Sequence, residues 1–159
     1  MSELVAYHEA GHALAAFLLD GEVRVVTIQP DRDDGPRRDG DTQVLWRRSR
    51  DGDKAFAAKT IEVSLAGPVA EMLYTGDELH PGAVDEWSAD WREAWRAGAL
   101  LHADERRRLR YLEDVAVKLY HRFRGDEHWA ALAALADELL AHETLEWDQV
   151  EEIVAEWLP

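Results

Sequence analysis

The alternation of apolar and polar positions predicts a helix followed by a small sheet in the first third of the chain. Residues 2–19 are rich in Ala, Leu and Phe and lack proline, which predicts a helix that stops at Asp20-Gly21. Residues 23–29 are β-branched and bounded by Gly and Pro, and with residues 43–46 they predict a hairpin of two strands. Residues 30–42 carry charges, glycines and prolines, and they predict an exposed loop.

Helical periodicity dominates the rest of the chain. The predicted helices cover about 54–74, 86–102, 104–123, 127–142 and 147–157, and they are separated by Gly76, Gly125 and the Glu143-Thr144 region. Trp87, Trp91 and Trp95 recur every four residues, which predicts one buried stripe. The pattern therefore predicts a single domain over residues 1–159, mainly α with a small N-terminal β-sheet, in which a first helix and a short hairpin precede a helical bundle.

Composition narrows the classes of function. The 159 residues include 18 basic and 33 acidic side chains, a formal charge of −15 that disfavours nucleic acid as a partner. There is no cysteine, so any metal must be held by nitrogen and oxygen atoms. No apolar run is long enough for membrane insertion and no leader peptide is visible, which together favour a cytoplasmic location.

One short motif in the first helix carries chemistry. His8 and His12 are four residues apart, so their imidazoles lie on one helix face at a separation that a single Zn²⁺ can bridge. Glu9 lies about 100° around the helix from His8, where it can act as a base on water without binding the metal. Gly11 leaves room for another segment to approach.

A catalytic zinc needs a third protein ligand, and the sequence offers several. No third histidine follows at close spacing, so the ligand must come from a distant segment; the candidates are Glu71, His80, Asp85 and Asp90. His80 and Tyr7 are weak candidates for stabilising the oxyanion that forms during hydrolysis.

The chain resembles the peptidase domain of the FtsH family of membrane-anchored, ATP-dependent zinc proteases. Residues 6–14 are similar to the family's metal-binding helix, and residues 66–76 to its small-residue helix that ends in glycine. Weaker similarity covers residues 25–30, 88–94 and 135–145 in the same order, so the resemblance spans nearly the whole chain.

The resemblance implies a role for each matching position. His8 and His12 would be zinc ligands, Glu9 the catalytic base and Asp90 the third ligand. Asp85 is the rival third ligand, because the residues before it also resemble the family's approach to that aspartate. Asp85 follows a loop and suits a helix N-cap, whereas Asp90 precedes the small residue Ala94 by four positions, so Asp90 is preferred. Glu71 is expected to hold a ligand or a neighbouring helix.

The sequence also departs from the family. The ATPase module and the membrane anchor have no counterpart here, residues 30–42 are longer and more charged than the family's turn, and Pro68 and the spacing before Asp90 differ. The expected activity is therefore zinc-dependent, ATP-independent hydrolysis of peptide bonds in unfolded proteins, peptides or one recognised partner. The alternatives are a catalytically weak or inactive zinc-binding adaptor or regulatory domain, and a hydrolase that acts on a non-peptide bond at the same metal site.

Overall fold

The protein is mainly helical, with a small antiparallel sheet, as the sequence predicted. The computed structural model describes residues 2–30, 40–45 and 52–159. In that part of the chain the helices are α1 (Ser2–Leu18), α2 (Gly52–Thr75), α3 (Ser88–Gly98), α4 (Glu105–Phe123), α5 (Asp126–His142) and α6 (Trp147–Trp157). The ends of α2 and α4 to α6 fall within a few residues of the predicted ones.

The sheet contains β1 (Glu22–Thr27), β2 (Asp41–Leu45) and β3 (Thr144–Glu146), in the order β2-β1-β3 with both pairings antiparallel. The β1–β2 pair is the predicted hairpin, but β2 begins two residues inside the predicted loop 30–42. Residues 31–39 of that loop, and Trp46 at the end of the predicted strand, lie outside the described residues. Strand β3 was not predicted, because three residues carry too little alternation to be distinguished from a turn.

Helix α1 lies at the centre of the core, where it packs against both α2 and α5. Its inward positions are small: Ala6, Ala10, Ala13 and Ala16 are almost completely buried. Small side chains let helix axes approach closely. The close approach to α2 is tightest at Gly11, where an added Cβ would collide with the carbonyl oxygen of Ala66. This packing brings the motif face of α1 against α2.

The predicted helix 86–102 is shorter and begins differently. Two 3₁₀ turns, Pro81–Ala83 and Asp85–Trp87, precede α3. Asp85 is the first residue of the second turn and is exposed, so the expectation that it caps a helix is wrong. The predicted tryptophan stripe is also wrong in part: Trp87 is buried, whereas Trp91 and Trp95 are only half-buried.

Candidate metal centre

The two motif histidines point into one small space beside α2. Their rings are nearly perpendicular, with centroids 4.7 Å apart and an interplanar angle of 80°. The Nε2 atoms of His8 and His12 are 3.1 Å apart. His12 is buried and the side chain of His8 is 17% exposed. The spacing of four residues therefore brings the two nitrogens together, as the helix geometry requires.

Asp90, on α3, brings an oxygen to the same space. Its Oδ2 lies 2.8 Å from Nε2 of His8 and 3.4 Å from Nε2 of His12. Ala94, one turn further along α3, is completely buried, which lets this helix lie close to its neighbours. Asp85, the rival candidate, is exposed and does not join the cluster.

The three atoms suit a zinc ion in both chemistry and spacing. Zinc binds imidazole nitrogen and carboxylate oxygen with bonds of about 2.0 Å, so tetrahedral ligand atoms lie about 3.3 Å apart. The three separations observed here are 2.8, 3.1 and 3.4 Å. A set of three protein ligands also leaves the fourth position open, which is the arrangement of catalytic rather than structural zinc.

The second ring nitrogens are held by specific acceptors. Nδ1 of His8 lies 2.6 Å from Oε2 of Glu71, and Nδ1 of His12 lies 2.6 Å from the carbonyl oxygen of Val63. A carbonyl oxygen can only accept, so Nδ1 of His12 carries the hydrogen and its Nε2 is free when the ring is neutral. Glu71 favours the same tautomer of His8, which leaves both Nε2 lone pairs directed at the cluster.

Glu71 is itself fixed from a second direction. The indole Nε1 of Trp87 donates to the same carboxylate oxygen at 2.5 Å. The sequence predicted that Glu71 would hold a ligand or a neighbouring helix, and this carboxylate contacts both His8 and the turn before α3. One oxygen on α2 therefore orients a histidine of α1 and anchors the segment that leads to Asp90.

Helix α2 makes room for the cluster with a glycine. A Cβ added at Gly67 would lie 2.5 Å from Nε2 of His12 and 2.8 Å from Nε2 of His8. The next residue, Pro68, also lies inside the helix. Because proline has no N–H, the backbone carbonyl of Ser64 receives no helical hydrogen bond from it. The neighbouring carbonyl, that of Val63, accepts from His12. Only a residue without a side chain fits at position 67 beside the histidines.

Glu9 lies beside the cluster and keeps one carboxylate oxygen without a partner. The residue is 4% exposed, and among the described residues its Oε2 is buried with no hydrogen bond. The hydroxyl of Thr42, on β2, donates to Oε1 at 3.4 Å and to the backbone oxygen of Glu9 at 3.3 Å. Burying a hydrogen-bond acceptor without a partner costs free energy. Oε2 is therefore expected to carry a proton or to accept a hydrogen bond from a bound molecule.

The charges of the cluster shift its pKa values strongly. Burial alone would lower the pKa of His8, but the carboxylates of Asp90 and Glu71 outweigh it and raise the pKa to about 10. Burial would raise the pKa of Asp90, yet the two histidines hold it below its usual range. Burial raises the pKa of Glu9, although His12 and His8 oppose the shift. Protonated histidine thus balances the carboxylates, a role that a cation could take over.

The two weaker candidates lie elsewhere. The ring of Tyr7 is stacked between Tyr74 and Trp129, with centroid distances of 4.4 and 5.3 Å. His80 accepts from the backbone N–H of Gly82 through Nδ1 and contacts Glu113 through Nε2. In the described part of the chain neither side chain joins the ligand cluster.

Several residues that shape the site were not predicted. They are Thr42, Val63, Gly67 and Trp87. Gly67 stands in the small-residue run of α2 and could have been suspected from that setting. The others act through a hydroxyl, a backbone oxygen and an indole N–H, none of which has a spacing relation to the motif.

Comparison with known proteins adds a distant relative. No family model matches the chain. It is 30% identical to the ATP-dependent zinc metalloprotease FtsH of Acidimicrobium ferrooxidans, over 97% of this chain but only 28% of that protein. The chain thus spans little more than a quarter of the relative's length. Among the helices that the structure describes, none has the length and apolar character needed to cross a bilayer. The similarity indicates a relation to zinc metalloproteases.

Proposed function

We propose that this chain is a zinc-dependent endopeptidase that uses His8, His12 and Asp90 as metal ligands and Glu9 as its general base. The observation that carries the proposal is the juxtaposition of two features: three ligand atoms within 4.8 Å of one another, and a buried carboxylate oxygen of Glu9 that has no hydrogen-bond partner among the described residues. A purely structural metal site has no need of the second feature. The similarity to an FtsH metalloprotease supports the same chemistry.

Each residue has a part in the proposed hydrolysis. Zinc bound at this centre would polarise the scissile carbonyl and acidify a water molecule. Glu9 would accept the proton of the attacking water at Oε2 and return it to the leaving amine. Burial raises the pKa of Glu9, which is the direction that helps a carboxylate to accept and hold a proton. Glu71 and the Val63 carbonyl hold the imidazoles in the orientation that directs Nε2 at the metal.

The proposed substrates are unfolded proteins, peptides or one recognised protein partner, cleaved without ATP. The site is formed by packed helices and by the edge strand β2, and Glu9 contacts that strand through Thr42. We place the activity in the cytoplasm and expect no nucleic acid partner, since the net charge of −15 opposes one.

The test combines metal analysis with cleavage of an unfolded casein substrate. The wild-type chain should contain zinc and cleave casein, and Glu9→Gln should keep the zinc and lose at least about a hundredfold in rate, the lower range for a positioned general base. Glu93→Gln, an exposed change on α3, serves as the matched control and should behave as wild type. Zinc binding without any cleavage by the wild-type chain would favour the adaptor alternative, and loss of zinc in Glu9→Gln would assign Glu9 a structural role.

A further inference from the structure

A second concave surface lies on the other side of α3 from the histidines. It is a groove of about 730 Å³ between α3, α4 and the loop before α3. We call it the tryptophan groove; its main lining residues are His80, Trp91, Arg92, Trp95, Arg96 and Leu109. Leu109 is 37% exposed, so the groove presents apolar surface to solvent. Exposed apolar concavities of this kind are typical of binding sites.

The floor of the groove is held rigidly. The ring of Trp91 packs edge-on against His80 at 5.2 Å, and a Cβ added at Gly82 would lie 2.8 Å from its Cε2 atom. Trp95 stacks on Trp91 with centroids 6.3 Å apart, and the guanidinium of Arg108 lies 4.6 Å from the Trp95 ring centroid. Tryptophans fixed in this way lose little entropy on binding, which makes them effective anchors.

Arg108, on α4, also supports the floor of the groove. Its Nε and Nη2 donate to the carbonyl oxygens of His102 and Ala103, each at 3.0 Å. These bonds give hydrogen-bond donors to two backbone carbonyl oxygens that follow α3, and they hold the guanidinium over the ring of Trp95. The guanidinium of Arg108 is therefore already engaged, and a ligand in the groove would have to pair with other cationic side chains.

Arg92 and Arg96 supply those cations. Both are exposed, and within residues 2–30, 40–45 and 52–159 neither forms an ion pair with a carboxylate. Among the described residues, the hydrogen-bond acceptor of Arg92 is the backbone oxygen of Ser88, to which Nε donates at 3.3 Å. In the part of the chain that the structure describes, no acidic residue lines the groove, although 33 of the 159 residues of the sequence are acidic. Two arginines one helical turn apart beside an aromatic floor suit carboxylates that are linked to an apolar group.

We propose that the tryptophan groove docks an acidic segment of a partner protein, with an aromatic or large aliphatic side chain seated on Trp91 and Trp95 and carboxylates paired with Arg92 and Arg96. Nucleic acid fits less well, because a continuous phosphate chain extends beyond two arginines into the field of a −15 protein. A second copy of the chain would bring its whole charge of −15 against the same face, whereas a short acidic segment needs to place only a few carboxylates beside the two arginines. The binding itself requires no peptidase chemistry.

The probe is a short fluorescein-labelled peptide whose only charged residues are glutamates placed around one central phenylalanine. Fluorescence anisotropy with the full chain should show saturable binding that weakens when the glutamates become glutamines or the phenylalanine becomes alanine. The variants Arg92→Glu and Arg96→Glu should each weaken binding by about tenfold, and Leu109→Ala by a smaller factor. Arg107→Glu makes the same charge change at an exposed position of α4 outside the groove, and it should bind as wild type.

Circular dichroism melts of each variant establish that it is folded, and the exposed arginines give little reason for unfolding. The proposal is overturned if the acidic peptide does not bind, or if the Arg92, Arg96 and Arg107 variants bind it equally well. It is also overturned if unlabelled oligothymidine displaces the labelled peptide at lower concentrations than the unlabelled peptide does. The same holds if sedimentation shows that the groove variants change only the self-association of the chain. Because zinc is not needed, the same measurements on the Glu9→Gln variant should give the same affinities, whatever the outcome for catalysis.

Discussion

Replacing Gly67 by alanine tests whether the space between the histidines belongs to a metal. The added Cβ would lie 2.5 Å from Nε2 of His12 and 2.8 Å from Nε2 of His8. Carbon and nitrogen atoms that are not bonded normally approach to about 3.5 Å, so the methyl group requires shifts of almost 1 Å. The imidazoles can retreat only by giving up their hydrogen bonds to Glu71 and to the Val63 carbonyl. The methyl group would also fill space directly beside both Nε2 atoms.

The expected effect separates metal binding from stability. Loss of an orienting hydrogen bond behind a ligand typically weakens metal affinity by about 10- to 100-fold, and displacement of the ligand atoms themselves should exceed that range. The folding cost of the metal-free form should be only about 1–3 kcal/mol, as for other overpacked cores, and is partly offset by the helix propensity of alanine. Gly67→Ala should therefore fold but bind zinc at least about 100-fold more weakly.

The assay is competition for zinc against a chromophoric chelator, with urea unfolding of the metal-free protein in parallel. Gly98→Ala is the matched control: it is also a glycine of a helix, and its added Cβ would meet side-chain carbons of Arg108 and Leu112 at 3.0 and 3.1 Å, away from the histidines. Equal zinc affinity of wild type and Gly67→Ala would refute the inference that zinc binds at the two Nε2 atoms beside Gly67.

Two further predictions concern the surroundings of the histidines. Glu71→Gln keeps the shape but removes the charge behind His8, so zinc affinity should fall about 10- to 100-fold by chelator competition, and an unchanged affinity would show that the contact does not tune the ligand. In the metal-free protein the raised pKa of His8 stabilises the fold fully below pH 6.5, and that stabilisation should be lost as the pH rises through about 10. Urea midpoints of chelator-treated wild type should therefore fall from pH 6.5 to 10 more than those of His8→Gln, and equal slopes would contradict the assignment.

The local part of the site could be predicted from the sequence because it depends on one helix. The i, i+4 relation of His8 and His12 fixes a common face as soon as the segment is helical, and the composition of α1 makes it so. The mainly α architecture and the β1–β2 hairpin follow in the same way from periodicity over many residues. These features require no knowledge of how distant segments pack.

The remaining features depend on packing between segments. Val63 lies 51 residues from His12, and Glu71 lies 63 residues from His8, so no spacing rule connects them. The start of α3 was misjudged because Trp87 sits in a 3₁₀ turn and reaches Glu71, which breaks the helical relation to Trp91. That break turns Trp91 and Trp95 toward a solvent-facing groove, a consequence that the regular four-residue spacing could not reveal.

The most direct test of the central claim is zinc K-edge X-ray absorption on the purified wild-type chain, with His8→Ala, Asp90→Ala and Asp85→Ala alongside. The account predicts one zinc per chain, bound by two imidazole nitrogens together with oxygen, with zinc lost or its shell altered in His8→Ala and Asp90→Ala and unchanged in Asp85→Ala. Two results would contradict it: a wild-type chain that retains no zinc, or a zinc coordination shell that is the same in wild type, His8→Ala and Asp90→Ala.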